Sequence, residues 1–127
     1  MMTGHVEFGH AFLKVLFLRQ GGDVVPVEFV IDTGFTSYLT LPPSDIAALG
    51  LSLSDITDVD LADGSKISVR VYDAVVFWNG EMLEVEVIAT GERPLLGLAL
   101  LKDNNVHIEF TENGIVTIAP RQSIAAP

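Results

Sequence analysis

Apolar residues along this chain come in short alternating or continuous blocks, separated by clusters of glycine, proline, asparagine and aspartate. That is a pattern of strands and turns. Residues 9–19 are mostly apolar and β-favouring, Gln20-Gly21-Gly22-Asp23 supplies turn chemistry, and residues 24–31 form the second arm of a hairpin that delivers Asp32. A short strand is expected over 38–41. Pro42-Pro43-Ser44 then leads into Asp45-Ile46-Ala47-Ala48-Leu49 with Gly50 behind it, and proline and an acid in the first turn with glycine just past the end mark a short helix.

Residues 59–71 alternate apolar and polar on both sides of Asp63-Gly64, a strong short-range hairpin signal. The second arm continues through 72–78, turns at Asn79-Gly80 and returns over 82–89. Thr90-Gly91-Glu92-Arg93-Pro94 breaks the sheet before an apolar run around one glycine, Leu95-Leu96-Gly97-Leu98-Ala99-Leu100-Leu101, with a helical turn expected near 98–102. Strands are expected over 106–110 and 115–119, joined at Glu112-Asn113-Gly114, and the tail 120–127 is expected to be loose. Because nearly every connection is a hairpin turn, the expected fold is mainly β: a closed or nearly closed β-barrel with one short helix after Asp32. There is no linker, charge block or repeat, so residues 1–127 read as one domain.

Composition narrows the function classes. Hydrophobic residues make up 49% of the chain and charged residues 19%, which argues for a packed body and against disorder. The sequence has no cysteine, so disulfides, zinc-thiolate sites and thiol nucleophiles are excluded together. Seventeen acidic against seven basic residues give a net charge of −10, which opposes binding to nucleic acid or anionic lipid. The first residues lack the basic and apolar regions of a signal peptide, and no apolar run reaches the roughly 20 residues of a membrane span, so a cytoplasmic protein is expected.

The candidate chemistry lies in Phe29-Val30-Ile31-Asp32-Thr33-Gly34 and the apolar stretch behind it. A strand running straight into a carboxylate, a hydroxyl and a glycine lifts one aspartate out of a β core and holds it in place. The same residues also make an ordinary turn, since Asp and Thr side chains bond local backbone and glycine is permissive. The tripeptide arises by chance in roughly a few per cent of chains this long, so its setting has to carry the argument. Other candidates are weaker. Asp58, Asp60 and Asp63 lack the further oxygen ligands of a calcium loop. His5, His10 and His107 are scattered, Glu81, Glu84 and Glu86 read as a polar face, Trp78 as core or interface, and Asp73, inside an apolar strand, is assigned no chemistry. No metal or cofactor is expected.

In word, setting and order the chain resembles the retropepsin-like aspartic peptidases, a group that includes retroviral proteases and single-domain bacterial relatives. Asp32-Thr33-Gly34 matches their catalytic triplet, Asp63-Gly64 the flap tip, and Leu95-Leu96-Gly97 the apolar pair and glycine beneath the catalytic loop. The resemblance covers roughly residues 8–119. It implies an acid-protease barrel with a flap hairpin, Asp32, Thr33 and Gly34 as catalytic residues, and Phe35, Leu61, Ala62, Asp63 and Gly64 against an extended peptide or protein substrate. The chemistry of the group needs two carboxylates facing one water. This chain carries one triplet, so the resemblance implies a homodimer with two Asp32 side chains on its axis.

Two departures stand out. Phe35 follows the glycine where many members have a small or hydroxyl residue, and Thr36, Ser37 and Leu98 replace an Asp–Arg pair that braces the retroviral dimer. Beside the endopeptidase reading stand two others: a catalytically silent dimerisation or peptide-binding module that keeps the fold, and an unrelated β-barrel adaptor.

Overall fold

A computed structural model of the chain describes residues 1–122. β1 (Met2–Glu7) turns at Phe8-Gly9 into β2 (His10–Leu18), and β3 (Val24–Ile31) runs into Asp32. β4 (Leu39–Leu41) leads into α1 (Pro43–Leu49), after which β5 (Ser52–Asp60), β6 (Lys66–Trp78) and β7 (Glu81–Ala89) follow as successive hairpin arms. β8 (Leu95–Leu96), α2 (Leu98–Leu101), β9 (Asn104–Ile108) and β10 (Ile115–Pro120) come last. The strands lie in one mainly antiparallel sheet in the order β5-β6-β7-β4-β8-β3-β2-β1-β10-β9, and β2 pairs also with β6, Leu16 opposite Phe77 and Leu18 opposite Val75.

The core follows the two-residue period of the strands. Ala11, Leu13, Val15 and Phe17 of β2 are buried, and Phe17 stacks on Phe29 of β3 with ring centroids 6.0 Å apart. In β6 the buried set is Val69 and Val71, then Ala74, Val76 and Trp78. The parity changes at Tyr72-Asp73, and Asp73 comes out exposed, which is how an apolar strand carries a carboxylate without burying it. Every residue of β4 is buried, Thr40 included; its hydroxyl accepts a hydrogen bond from the Leu95 N–H at 3.1 Å. Helix α1 buries Ile46 and Leu49 and ends on Gly50 in the left-handed region (φ 66°), whose N–H reaches the Ile46 and Ala47 carbonyls. Among the described residues no helix is long and apolar enough to cross a membrane.

Turn chemistry sets the strand ends. Asn79 and Gly80 both have positive φ, 51° and 82°, in the two-residue loop between Trp78 and Glu81. That conformation matches the twist of the arms it joins. The β1–β2 turn uses the same geometry, with Phe8 at 51° and Gly9 at 77°, so an aromatic side chain stands where asparagine or glycine is favoured.

Three expectations need correction. β1 has no counterpart among the strands expected from the sequence, because it is short, half-exposed and held chiefly by its neighbours β2 and β10. β5 starts at Ser52, not at 59, because pairing with β6 holds a stretch whose residues are almost all exposed and carry little apolar signal. The tail expected to be loose from 120 begins inside structure: Pro120 belongs to β10 and the Arg121 N–H donates to the Asp103 carbonyl at 2.9 Å, while residues 123–127 lie outside the described residues.

Gly4 of β1 lies against the β2 backbone, and a Cβ there would sit 1.9 Å from the Phe12 carbonyl oxygen. Backbone cannot rotate away as a flexible side chain can. Gly4→Ala is therefore expected to lower stability by about 1–3 kcal/mol, read as a shifted midpoint in urea unfolding.

Candidate active site

The loop after β3 is built on β8. Leu95 and Leu96 pair in parallel with Val30 and Ile31 on one side, and antiparallel with Thr40 and Leu39 on the other. The Asp32 N–H continues this ladder, donating to the Leu96 carbonyl at 2.9 Å, and the Gly97 N–H donates to the Tyr38 carbonyl at 2.9 Å. Both ends of the loop are thus fastened to the same three-residue segment. Leu98 and Ala99, entering α2, donate to the Phe35 and Ser37 carbonyls at 2.8 and 3.2 Å, which fixes its middle.

Within that frame Asp32, Thr33, Gly34 and Phe35 make a tight turn, closed by the Phe35 N–H on the Asp32 carbonyl at 3.1 Å. Asp32 is half-buried while Thr33 and Gly34 are exposed, so the carboxylate is anchored at its backbone and open at its head. Its Oδ1 accepts the Gly34 N–H at 2.9 Å. That bond orients the carboxylate. It is also an Asx turn, the ordinary role that the same residues can fill. The Thr33 hydroxyl has no hydrogen-bond partner among the described residues.

Both glycines answer to close approach, not to a left-handed backbone. Gly34 is not in the left-handed region; a Cβ there would stand 3.2 Å from Asp32 Oδ1, so the residue is small to leave the carboxylate room. Gly97 is buried, and a Cβ on it would meet the Ser37 oxygen at 2.3 Å, the Phe35 ring at 2.5 Å and the Phe35 oxygen at 2.6 Å. Phe35, expected against substrate, is half-buried with its ring over Gly97. Its bulk replaces a side chain that Gly97 lacks.

Leu61, Ala62, Asp63 and Gly64 form the tip of the β5–β6 hairpin. The Leu61 N–H donates to Ser65 at 2.8 Å and the Gly64 N–H to Leu61 at 2.9 Å, and only Gly64 (φ 87°) has positive φ. The tip is therefore a three-residue loop with a glycine bulge, not a two-residue Asp-Gly turn. Val59 lies opposite Ile67 and Thr57 opposite Val69, on the strand face where Val69 and Val71 are buried. Leu61 extends the same apolar stripe. The opposite face carries Asp58 with Ser68 and Asp60 with Lys66. These aspartates are engaged one by one: Asp58 accepts from the Ser68 hydroxyl at 2.8 Å, Asp60 lies 3.9 Å from Lys66 Nζ, and Asp63 accepts from Ser65.

The structure thus brings Asp32, Thr33, Gly34 and Phe35 together over Gly97, and sets residues 61–64 on a separate hairpin. Sequence reasoning missed Thr40, whose sign was a hydroxyl between two buried leucines in Leu39-Thr40-Leu41.

Asp63 is fully exposed, yet the Ser65 hydroxyl at 2.5 Å and the Ser65 N–H at 2.9 Å hold its carboxyl below the usual carboxylate range. Their support of the tip is present above the ordinary carboxylate pKa and is lost as pH falls through the lowered value. Ser65→Ala is expected to move the Asp63 titration up toward normal, followed by NMR. Gly97→Ala is expected to cost about 1–3 kcal/mol and to shift the amide resonances of residues 32–38 while those of the β1–β10 ladder stay in place.

Comparison with solved structures finds the crystal structure of a retropepsin-like aspartic protease from Rickettsia conorii, at a TM-score of 0.63 and 18% identity, covering 91% of this chain and 88% of that one. No protein-family model and no curated protein matches the sequence. At this identity the likeness is one of fold: the chain has a mainly β fold similar to that of a retropepsin-like aspartic protease.

Proposed function

We propose that the chain is an aspartic endopeptidase of the retropepsin type, acting as a two-fold homodimer on extended peptide or protein substrates. The observation that carries this reading is the Asp32 loop: an aspartate rooted in the β3–β8 ladder, its carboxylate oriented by the Gly34 N–H and open to solvent. Strand pairing that runs from β2 through β3, β8, β4, β7 and β6 back to β2 supports a barrel beneath it. The fold likeness to a retropepsin-like protease supports it further.

One carboxylate is half of the machinery. Hydrolysis needs a base to take a proton from water as it attacks the peptide carbonyl and an acid to protonate the departing nitrogen. Two Asp32 side chains facing one water share a single proton, because like charges at that distance cannot both ionise, and so supply both roles. Thr33, exposed and unpartnered among the described residues, hydrogen-bonds the partner's loop across the axis. Gly34 keeps the approach to Oδ1 clear. The stripe of Val59, Ile67 and Leu61 closes over the peptide and contacts its apolar side chains, while Ala62, Asp63 and Gly64 form the tip.

A silent dimerisation or peptide-binding module is the second reading. It is favoured by the Asx bond, which gives Asp32 a sufficient structural role without any chemistry. Asp32→Asn separates the two, since the amide oxygen still accepts from Gly34 but cannot act as acid or base. Cleavage of an unfolded protein is to be followed from about pH 4 to 7 over a range of enzyme concentrations. The wild type is expected to cleave, with a rate rising more steeply than concentration. Asp32→Asn is expected to lose on the order of 10²–10⁴-fold with its fold unchanged. Equal cleavage by both proteins, or none by either, sinks the peptidase reading.

A further inference from the structure

A homodimer of this chain cannot be joined through the edges of β1 or β10. β1 is paired on both sides, by β2 and β10, and β10 on both sides, by β1 and β9, so neither strand offers a free edge to a partner. At −10 per chain, two subunits repel one another. Away from the outer edges of β5 and β9, which end the sheet, a contact has to be apolar or charge-complementary.

Resting on the dimeric reading above, we infer that Phe8 of each protomer is a knob that docks into a groove beside α2 of its partner. Phe8 is 81% exposed at the tip of the β1–β2 turn, in a left-handed conformation that favours asparagine or glycine. Its N–H is tied to the Glu112 carboxylate at 3.1 Å, and Phe110, in the loop that carries Glu112, is 68% exposed. An aromatic side chain in an unfavourable turn position, with its backbone tethered and its ring in solvent, is of no use to the protomer's own core.

The groove, of about 590 Å³, is lined by Thr36, Tyr38, Leu98, Ala99, Leu101 and Lys102. It adjoins the Asp32 loop directly, since Leu98 donates to the Phe35 carbonyl. No acid lines it in this acidic chain, and Lys102 forms no ion pair among the described residues. The knob carries Glu112 and the groove carries Lys102, so the two surfaces are complementary in charge as well as in apolar character.

Topology brings them face to face. Asp32 ends β3, with β2 and β1 on one side and β8, which leads into α2, on the other. The Phe8 turn emerges at the same end of the sheet as Asp32, because β2 runs antiparallel to β3 with Phe12 opposite Val30. Two strand spacings separate them, about 10 Å. A two-fold axis passing by Asp32 exchanges the two sides, so the β1 side of one protomer faces the α2 side of its partner. The contact is made twice, as an isologous interface requires.

The test is sedimentation equilibrium of the full chain from micromolar to millimolar concentration. Phe8→Asn is expected to raise the dimer dissociation constant at least about tenfold, and Lys102→Glu to move it in the same direction. Thermal unfolding of the dilute monomer is expected to be no weaker in Phe8→Asn, because asparagine suits the turn. The chain has no cysteine, so Phe8→Cys and Leu98→Cys protomers mixed under oxidation are expected to form a covalent heterodimer. A Phe8→Asn dimer as tight as wild type, or no cross-link, overturns this interface and leaves the dimeric peptidase standing. A wild type that stays monomeric and inactive throughout overturns the dimeric reading, and the interface with it.

Discussion

Two leucines, the second fully buried, followed by a buried glycine hold the middle of this molecule. Leu95 and Leu96 take their backbone hydrogen bonds from β3 on one side and β4 on the other, and Gly97 continues onto Tyr38. Buried backbone groups must be paired, so a segment this short and this enclosed has little freedom to move. Asp32 inherits that rigidity through its N–H bond to Leu96. The Phe35 ring and backbone close over Gly97 at distances that admit no side chain, which makes loop and support a single packed unit.

The rest of the structure divides around this unit. Below it, β2, β3, β4 and the inner face of β6 and β7 form a core of alternating buried aliphatic and aromatic residues. Beyond it, the β5–β6 hairpin extends with one apolar and one charged face, few of its side chains covered. A hairpin with little buried surface opens at low free energy compared with the core. The pairing of a fixed carboxylate with a loosely held apolar hairpin is what a site that admits and encloses a polypeptide requires.

The single carboxylate and the strong negative charge pull in opposite directions. Under the proposed reading, chemistry with one Asp32 per chain needs a second copy close by, while the charge drives copies apart. Apolar, acid-free surface near Asp32 is where this conflict can be relieved. Phe8 and the acid-free groove beside α2 lie on opposite flanks of Asp32, the arrangement in which a two-fold axis can use both.

Much of this was legible in the sequence where local chemistry decides: the β3 strand into Asp32, the Gly50-capped helix, the Asn79-Gly80 turn and the Leu95-Leu96-Gly97 run all announce themselves through turn residues and apolar period. What the sequence could not convey was anything decided by a distant neighbour. β1 exists because β2 and β10 flank it, and β5 begins at Ser52 because β6 is there to pair with. Gly34 holds its N–H against Asp32 Oδ1 and leaves space beside it, a closeness that only the folded turn displays. That the Phe35 ring packs on Gly97 shows only in the fold. Phe8 looked like nothing at all, because its exposure and its strained turn exist only once β1 and β2 have paired. Local backbone preference and hydrophobic period can be read one segment at a time; register, close approach and exposure come from pairs of segments far apart in the chain, and only the folded molecule decides them.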